Sequence, residues 1–100
     1  MNTTIKEQNG ELVATLEGRL DTAAAPQTEK DLAPLMAAAG KNVVLDCTKL
    51  EYISSSGLRI FLALLKAVKP AGGHVFIEGM SDDIRSVFAM TGFTQLFEFR

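Results

Sequence analysis

Val43-Val44-Leu45 is a run of apolar residues with no polar residue inside it. A strand with one wet face alternates in polarity. A strand buried on both faces does not, and such runs belong to parallel sheets. Parallel neighbours cannot be joined by a tight turn; they need a crossover, usually a helix. Segments of helical character flank the run. GRLDTAAAPQTEKDLAPLMAAAG precedes it, Ala-rich, with Leu32, Leu35 and Met36 on one side. Ser56 to Lys69 follows, after the loop DCTKLEYISS.

The remaining punctuation fits the same scheme. Asn9-Gly10 separates Ile5–Gln8 from Glu11–Leu16, where Leu12, Ala14 and Leu16 alternate with more exposed positions. Asn-Gly supplies the positive φ that a type I′ turn needs twice, which predicts an N-terminal β-hairpin. Pro26 suits the first turn of the following helix. Pro34 predicts a kink or a fray, since an interior proline loses a donor and clashes with the preceding turn. Gly40 is expected at the C′ position. Pro70 and Gly72-Gly73 stop the next helix, and His74 to Glu78 reads as a strand. Ser81 before Asp82-Asp83 is a helix N-cap followed by acids, where the macrodipole favours negative charge. Ile84, Val87 and Phe88 continue that helix at the right spacing, Gly92 caps it, and Phe93 is expected to pack back. Leu96, Phe97 and Phe99 read as a last short strand.

The order ββαβαβα predicts an α/β fold: a mixed sheet of four or five strands with an N-terminal hairpin and three helices, joined by right-handed crossovers. The 100 residues fit a single domain, residues 1–100. Apolar residues make up 47% of the chain, enough for a core without staples. A net charge of −2 argues against a phosphate-backbone binder, which shows a clustered basic excess. No basic amphipathic stretch suggests a membrane surface. Cys47 is the single cysteine, so no intramolecular disulfide can form, and a reducing compartment is expected. MNTTIKEQNG has no apolar core of a signal peptide, and the run Ile60 to Leu65 is too short to span a bilayer. The expectation is a cytoplasmic protein without direct membrane contact.

EYISSSGLRIFLALLKAVK, Glu51 to Lys69, carries the chemistry. One serine can cap the helix, but a helix end has one N-cap and here are three adjacent hydroxyls. The loop leaves the carboxyl end of a buried strand, the edge where open α/β sheets meet ligands. Ser54, Ser55 and Ser56 are therefore expected at the surface. A phosphate there would face free backbone N–H groups at the positive end of a helix, adding close to two negative charges. The fold would survive while a partner packed on small hydroxyls would be repelled. Along the helix, Leu58, Phe61, Leu62, Leu65 and Val68 are expected to form the core stripe. Ile60 and Ala67 lie beside it, and Ile60 is a candidate partner contact.

At this point the sequence resembles a family. GRLD (Gly18–Asp21), VVLD (Val43–Asp46), SSGL (Ser55–Leu58), Gly72-Gly73 before a strand and MTGF (Met90–Phe93) fall in the order found in STAS domains. The chain resembles the free-standing bacterial anti-sigma factor antagonists over essentially its whole length. The resemblance implies a partner switch without catalytic residues, cofactor or metal. In that family the unphosphorylated antagonist binds an anti-sigma factor, a serine kinase with a GHKL-type ATP site, and a sigma factor is released. The kinase phosphorylates a serine in Asp-Ser-Ser-Gly-Leu, the complex dissociates, and a PP2C-type phosphatase restores binding. The implied acceptor is Ser56, with Ser55 as the alternative. Asp21, Ser54, Ser55, Gly57, Leu58 and Ile60 form the expected partner surface, with Gly57 leaving the backbone uncluttered. Ser54 stands where sporulation-type members have Asp.

Other readings fit less well. A serine hydrolase needs a base near its nucleophile, and His74, the only histidine, begins a strand beside the Gly-Gly turn and reads as a turn or strand-edge residue. A receiver domain could use Asp46, but the acidic pair such a domain needs after its first strand is missing. Asp46 is expected instead to order the following loop, and Cys47 to be a buried small hydrophobe. Within the fold, the alternative is a STAS module that binds a partner without phosphorylation, such as a subunit of a lipid-transport complex.

Overall fold

The computed structural model describes residues 1–37 and 40–100. Asn9 and Gly10 have φ of 53° and 79°, as the type I′ turn requires. They join β1 (Asn2–Gln8) to β2 (Glu11–Leu20) in antiparallel register, with Gln8 opposite Glu11. Then follow α1 (Ala25–Met36), β3 (Val43–Ile53), α2 (Ser55–Val68), β4 (Val75–Glu78), α3 (Asp82–Met90), a 3-10 turn (Phe93–Gln95) and β5 (Glu98–Phe99). The five strands lie in the order β1-β2-β3-β4-β5, and β2 through β5 are mutually parallel. Each crossover steps one strand in the same direction. Right-handed crossovers that all step one way put their helices on one face. The core lies between that face and the helices, with Leu16, Leu45, Ile77, Leu35, Phe61 and Phe88 at its centre.

The opposite face is sealed differently. Val13, Val44 and Phe76 are neighbours in register across three strands. Val44 is 2% exposed there under side chains alone. The Arg100 guanidinium lies 4.2 Å from the centre of the Phe76 ring and is held by Glu11 at 2.8 Å and Glu78 at 3.4 Å. So the Val43–Leu45 run is buried on both faces, with Val43 and Leu45 in the core under the helices and Val44 on the opposite face, where Arg100 covers the neighbouring Phe76.

Several boundaries differ from the sequence expectation. β2 runs to Leu20 rather than Leu16, and β3 runs to Ile53, so most of the expected loop after Leu45 is strand. β4 stops opposite Asp46, leaving the second half of β3 paired only with β2. Polar side chains are stable there: Lys49 pairs with Glu17 at 3.6 Å, and the Arg19 guanidinium sits 4.5 Å from the Tyr52 ring centre. Register shifts between Thr15 and Glu17 and between Gly18 and Arg19 break the alternation that marks a strand. α1 ends at Met36, two residues past Pro34, with Ala37 as its cap. Gly40, at φ 79°, therefore lies beyond the C′ position. The expected continuation of that helix through Ala38-Ala39 falls outside the described residues. At the C-terminal end, Phe88 packs on Phe93 at 6.3 Å and on Phe97 at 5.8 Å, as expected of Phe93. Leu96 is 43% exposed and precedes the last strand rather than forming part of it.

A serine rim at the ends of two parallel strands

β2 and β3 end side by side: the Leu20 carbonyl accepts from the Ser54 N–H at 2.8 Å. From Leu20 the chain turns into α1 through Asp21, whose Oδ1 accepts from the Ala24 N–H at 2.9 Å. From Ile53 it turns into α2. Two helix N-termini therefore rise from one rim, and Asp21 stands next to Leu20, which Ser54 binds.

The three serines have three environments. Ser54 is the N-cap, in extended conformation, and its Oγ accepts from the Gly57 N–H at 3.2 Å. It is 9% exposed, which corrects the expectation of a surface hydroxyl: the capping bond turns the side chain back into the helix. Ser55 is exposed. Ser56 is half-buried and faces a groove of about 490 Å³ between α1 and α2. Thr22, Ala25, Pro26 and Glu29 line one wall; Ser56, Arg59, Ile60 and Ala63 line the other. The first turn of α2 contains no acidic residue. Apart from the Gly57 N–H that Ser54 caps, its leading N–H groups have no carbonyl of their own helix to donate to, and no acid in that turn answers the dipole.

Gly57, Leu58 and Ile60 depart from the expected partner surface. Gly57 is buried, and a Cβ there would lie 2.8 Å from Ile53 Cγ1 and 2.8 Å from Leu20 Cγ. Its missing side chain lets α2 sit down on the ends of β2 and β3 instead of opening the backbone to a visitor. Leu58 and Ile60 are each 4% exposed. The buried stripe of α2 runs through Leu58, Ile60, Phe61, Leu64 and Val68, whereas Leu62 and Leu65 are half-buried. The stripe is rotated because α1 packs along the Ile60 flank of α2 and closes it off. Ile60 contributes groove floor rather than an exposed contact.

The other titratable candidates lie elsewhere. His74 precedes β4 at the far end of the sheet, on the order of 30 Å from the serines along the strand direction. Its Nδ1 is 2.7 Å from Glu98 Oε2 and its ring stacks on Phe76. Cys47 is fully buried, and burial, followed by the Asp46 charge, pushes its thiol up to about 12, so it is no nucleophile. Asp46 Oδ1 accepts from the Thr48 N–H at 3.1 Å and the Thr48 hydroxyl at 2.6 Å, the local ordering role expected of it. Among the described residues no three His, Cys, Asp or Glu side chains are placed to hold a metal ion. Among them, too, no helix is long and apolar enough to cross a membrane.

Residues 2–100 match the protein family described as the STAS domain. BtrV of Bordetella bronchiseptica, whose name describes an anti-sigma factor antagonist, is 35% identical over 97 residues, 97% of this chain and 84% of BtrV. The anti-sigma-B factor antagonist of Bacillus subtilis is 26% identical over 98 residues, 98% of this chain and 89% of that protein. The fold is similar to that of the anti-sigma factor antagonist SpoIIAA in its unphosphorylated form, with a TM-score of 0.75 and 19% identity, covering 99% of this chain and 87% of SpoIIAA. It is equally similar to the phosphorylated form of SpoIIAA, the Bacillus cell fate determinant, with a TM-score of 0.74 and 19% identity, covering 99% and 91%. With the family matched from residue 2 to residue 100, this chain belongs to the STAS domain family.

Proposed function

We propose that this protein is an anti-sigma factor antagonist that works by partner switching, with Ser56 as its phosphoacceptor. In the unmodified state it binds an anti-sigma factor serine kinase with a GHKL-type ATP site, in the bacterial cytoplasm, and so frees a sigma factor. In the transfer step Ser56 Oγ bonds to the γ-phosphorus of ATP, ADP leaves, and the hydroxyl proton passes to a base of the kinase. A PP2C-type phosphatase hydrolyses the phosphoserine and restores binding. The protein itself is ligand and substrate, not catalyst.

The observation that carries this reading is the division of labour among the serines. Ser54 is the cap, Ser55 is exposed, and Ser56 is half-buried in the lining of the groove between α1 and α2. A dianion at Ser56 sits in a first turn that has no acids, so the helix tolerates it. A partner closed over Asp21, Ser55, Ser56 and the groove meets bulk and charge instead of a small hydroxyl. The printed names of the relatives, and the existence of SpoIIAA in phosphorylated and unphosphorylated forms, support the same reading.

The test compares Ser56→Asp and Ser56→Ala with the unmodified protein for binding to the kinase. Ser56→Asp is expected to melt close to the parent and to lose binding, whereas Ser56→Ala binds and is not released by ATP. Normal binding by Ser56→Asp, or loss of its fold, would count against the proposal. Phosphate-independent binding to a membrane transport complex would favour the constitutive STAS module.

A further inference from the structure

The chain has four arginines. Three of them have partners. Arg19 lies over the Tyr52 ring, Arg85 over Phe99, and Arg100 over Phe76 with Glu11 and Glu78 beside it. Arg59, among the described residues, has neither an ion pair nor a ring beneath it. It is exposed, yet it lines the same groove as Ser56. The other charged side chain lining that groove is Glu29, from α1.

Helix geometry sets the relation between Ser56 and Arg59. Residues three apart are surface neighbours, with Cβ atoms about 5–6 Å from each other. Helical side chains lean toward the N-terminus, so a residue covers the turn before its own Cα. A long arginine at position 59 therefore reaches back over the hydroxyl at position 56. A guanidinium offers a planar pair of donors that fits two phosphate oxygens. In the unmodified protein the Arg59 guanidinium makes no ion pair and lies over no ring among the described residues.

We propose that Arg59 is the phosphate-holding residue of the modified state, a proposal that rests on Ser56 being the acceptor. Phosphoserine at 56 pairs with Arg59 across the mouth of the groove. The pair offsets the repulsion between the dianion and Glu29 and fixes the phosphate where the partner would seat. The unmodified protein keeps Arg59 free and the groove open.

The experiment uses the full chain with phosphoserine installed at position 56 during synthesis, so its outcome does not depend on whether a cell modifies that residue. Phosphorus NMR then follows the second ionisation of the phosphate at low ionic strength, in the parent, Arg59→Gln and Arg59→Lys. Arg59→Gln is expected to raise the phosphate pKa by about half a pH unit. Arg59→Lys should recover part of the difference, because it keeps the charge and loses the fork. Glu29→Gln should lower the value. Melting of the unphosphorylated variants should be unchanged, which separates pairing from a structural role. Identical pKa values in the parent and Arg59→Gln would overturn the proposal. Failure to find phosphate on Ser56 in cells would instead overturn the acceptor assignment and leave this measurement standing.

Discussion

The N-termini of α2 and α3 begin alike and then diverge. Each is capped by a serine in extended conformation whose Oγ accepts from the N–H three residues on: Ser54 from Gly57 at 3.2 Å, Ser81 from Ile84 at 3.3 Å. After the cap, α3 places Asp82 and Asp83, which answer the helix dipole permanently. α2 places Ser55 and Ser56 and has no acid in that turn. Each acid is worth about 0.3–1 kcal/mol at such a site. The first turn of α2 forgoes that stabilisation, which on the proposed function leaves room for a charge that is added and removed. The third helical position differs too. Ile84 in α3 is itself core, 2% exposed, whereas α2 has Gly57 pressed against Leu20 and Ile53. One helix start carries its own acids and a core side chain; the other has neither.

Substitutions at matched positions can break this contrast. Ile84→Ala opens a cavity and should cost about 2–5 kcal/mol, the largest effect in the set, read from urea unfolding. Gly57→Ala at the equivalent position errs the other way, by overpacking, and should cost about 1–3 kcal/mol. A neutral Gly57→Ala would mean that α2 is not seated tightly on the strand ends. Ser54→Ala and Ser81→Ala each remove a cap and should cost about 1 kcal/mol. The Ser54 loss should be the greater, because Ser54 is nearly buried and Gly57 N–H is left without water as a substitute. Smallest is Ser56→Asp, which gives α2 the kind of acid α3 already has. It should raise stability by a few tenths to about 1 kcal/mol at low salt and lose the gain at high salt, while Asp82→Asn loses a similar amount. A destabilising Ser56→Asp would show that the start of α2 does not accept negative charge.

The legible parts of this fold are those that local chemistry decides. Asn9-Gly10 can hardly do anything but turn, and Ser81-Asp82-Asp83 states a helix start in three letters. The second half of β3 was hidden because its partner strand bulges and its outward residues, Lys49 and Tyr52, are polar or amphipathic. The phase of α2 was hidden because IFLALL is apolar nearly all round the helix. Only the position of α1 decides that Ile60 is inside and Leu62 half outside. At the site itself, the serine cluster could be read at once, whereas Asp21 entered only through the resemblance to STAS domains. Which serine serves as the cap could not, since any of the three could play that part until the backbone angle of Ser54 is known. The role of Gly57 depends on Leu20 and Ile53, residues remote in sequence, and Arg59 stands out only once the partners of the other arginines are seen.

The central claim is that Ser56 carries the switch. The direct test is phosphopeptide mapping of this protein recovered from its own cells, with phosphatase blocked during lysis. Phosphate on Ser56 is the predicted result. Phosphate on Ser55 alone, or none under any growth condition, would contradict it.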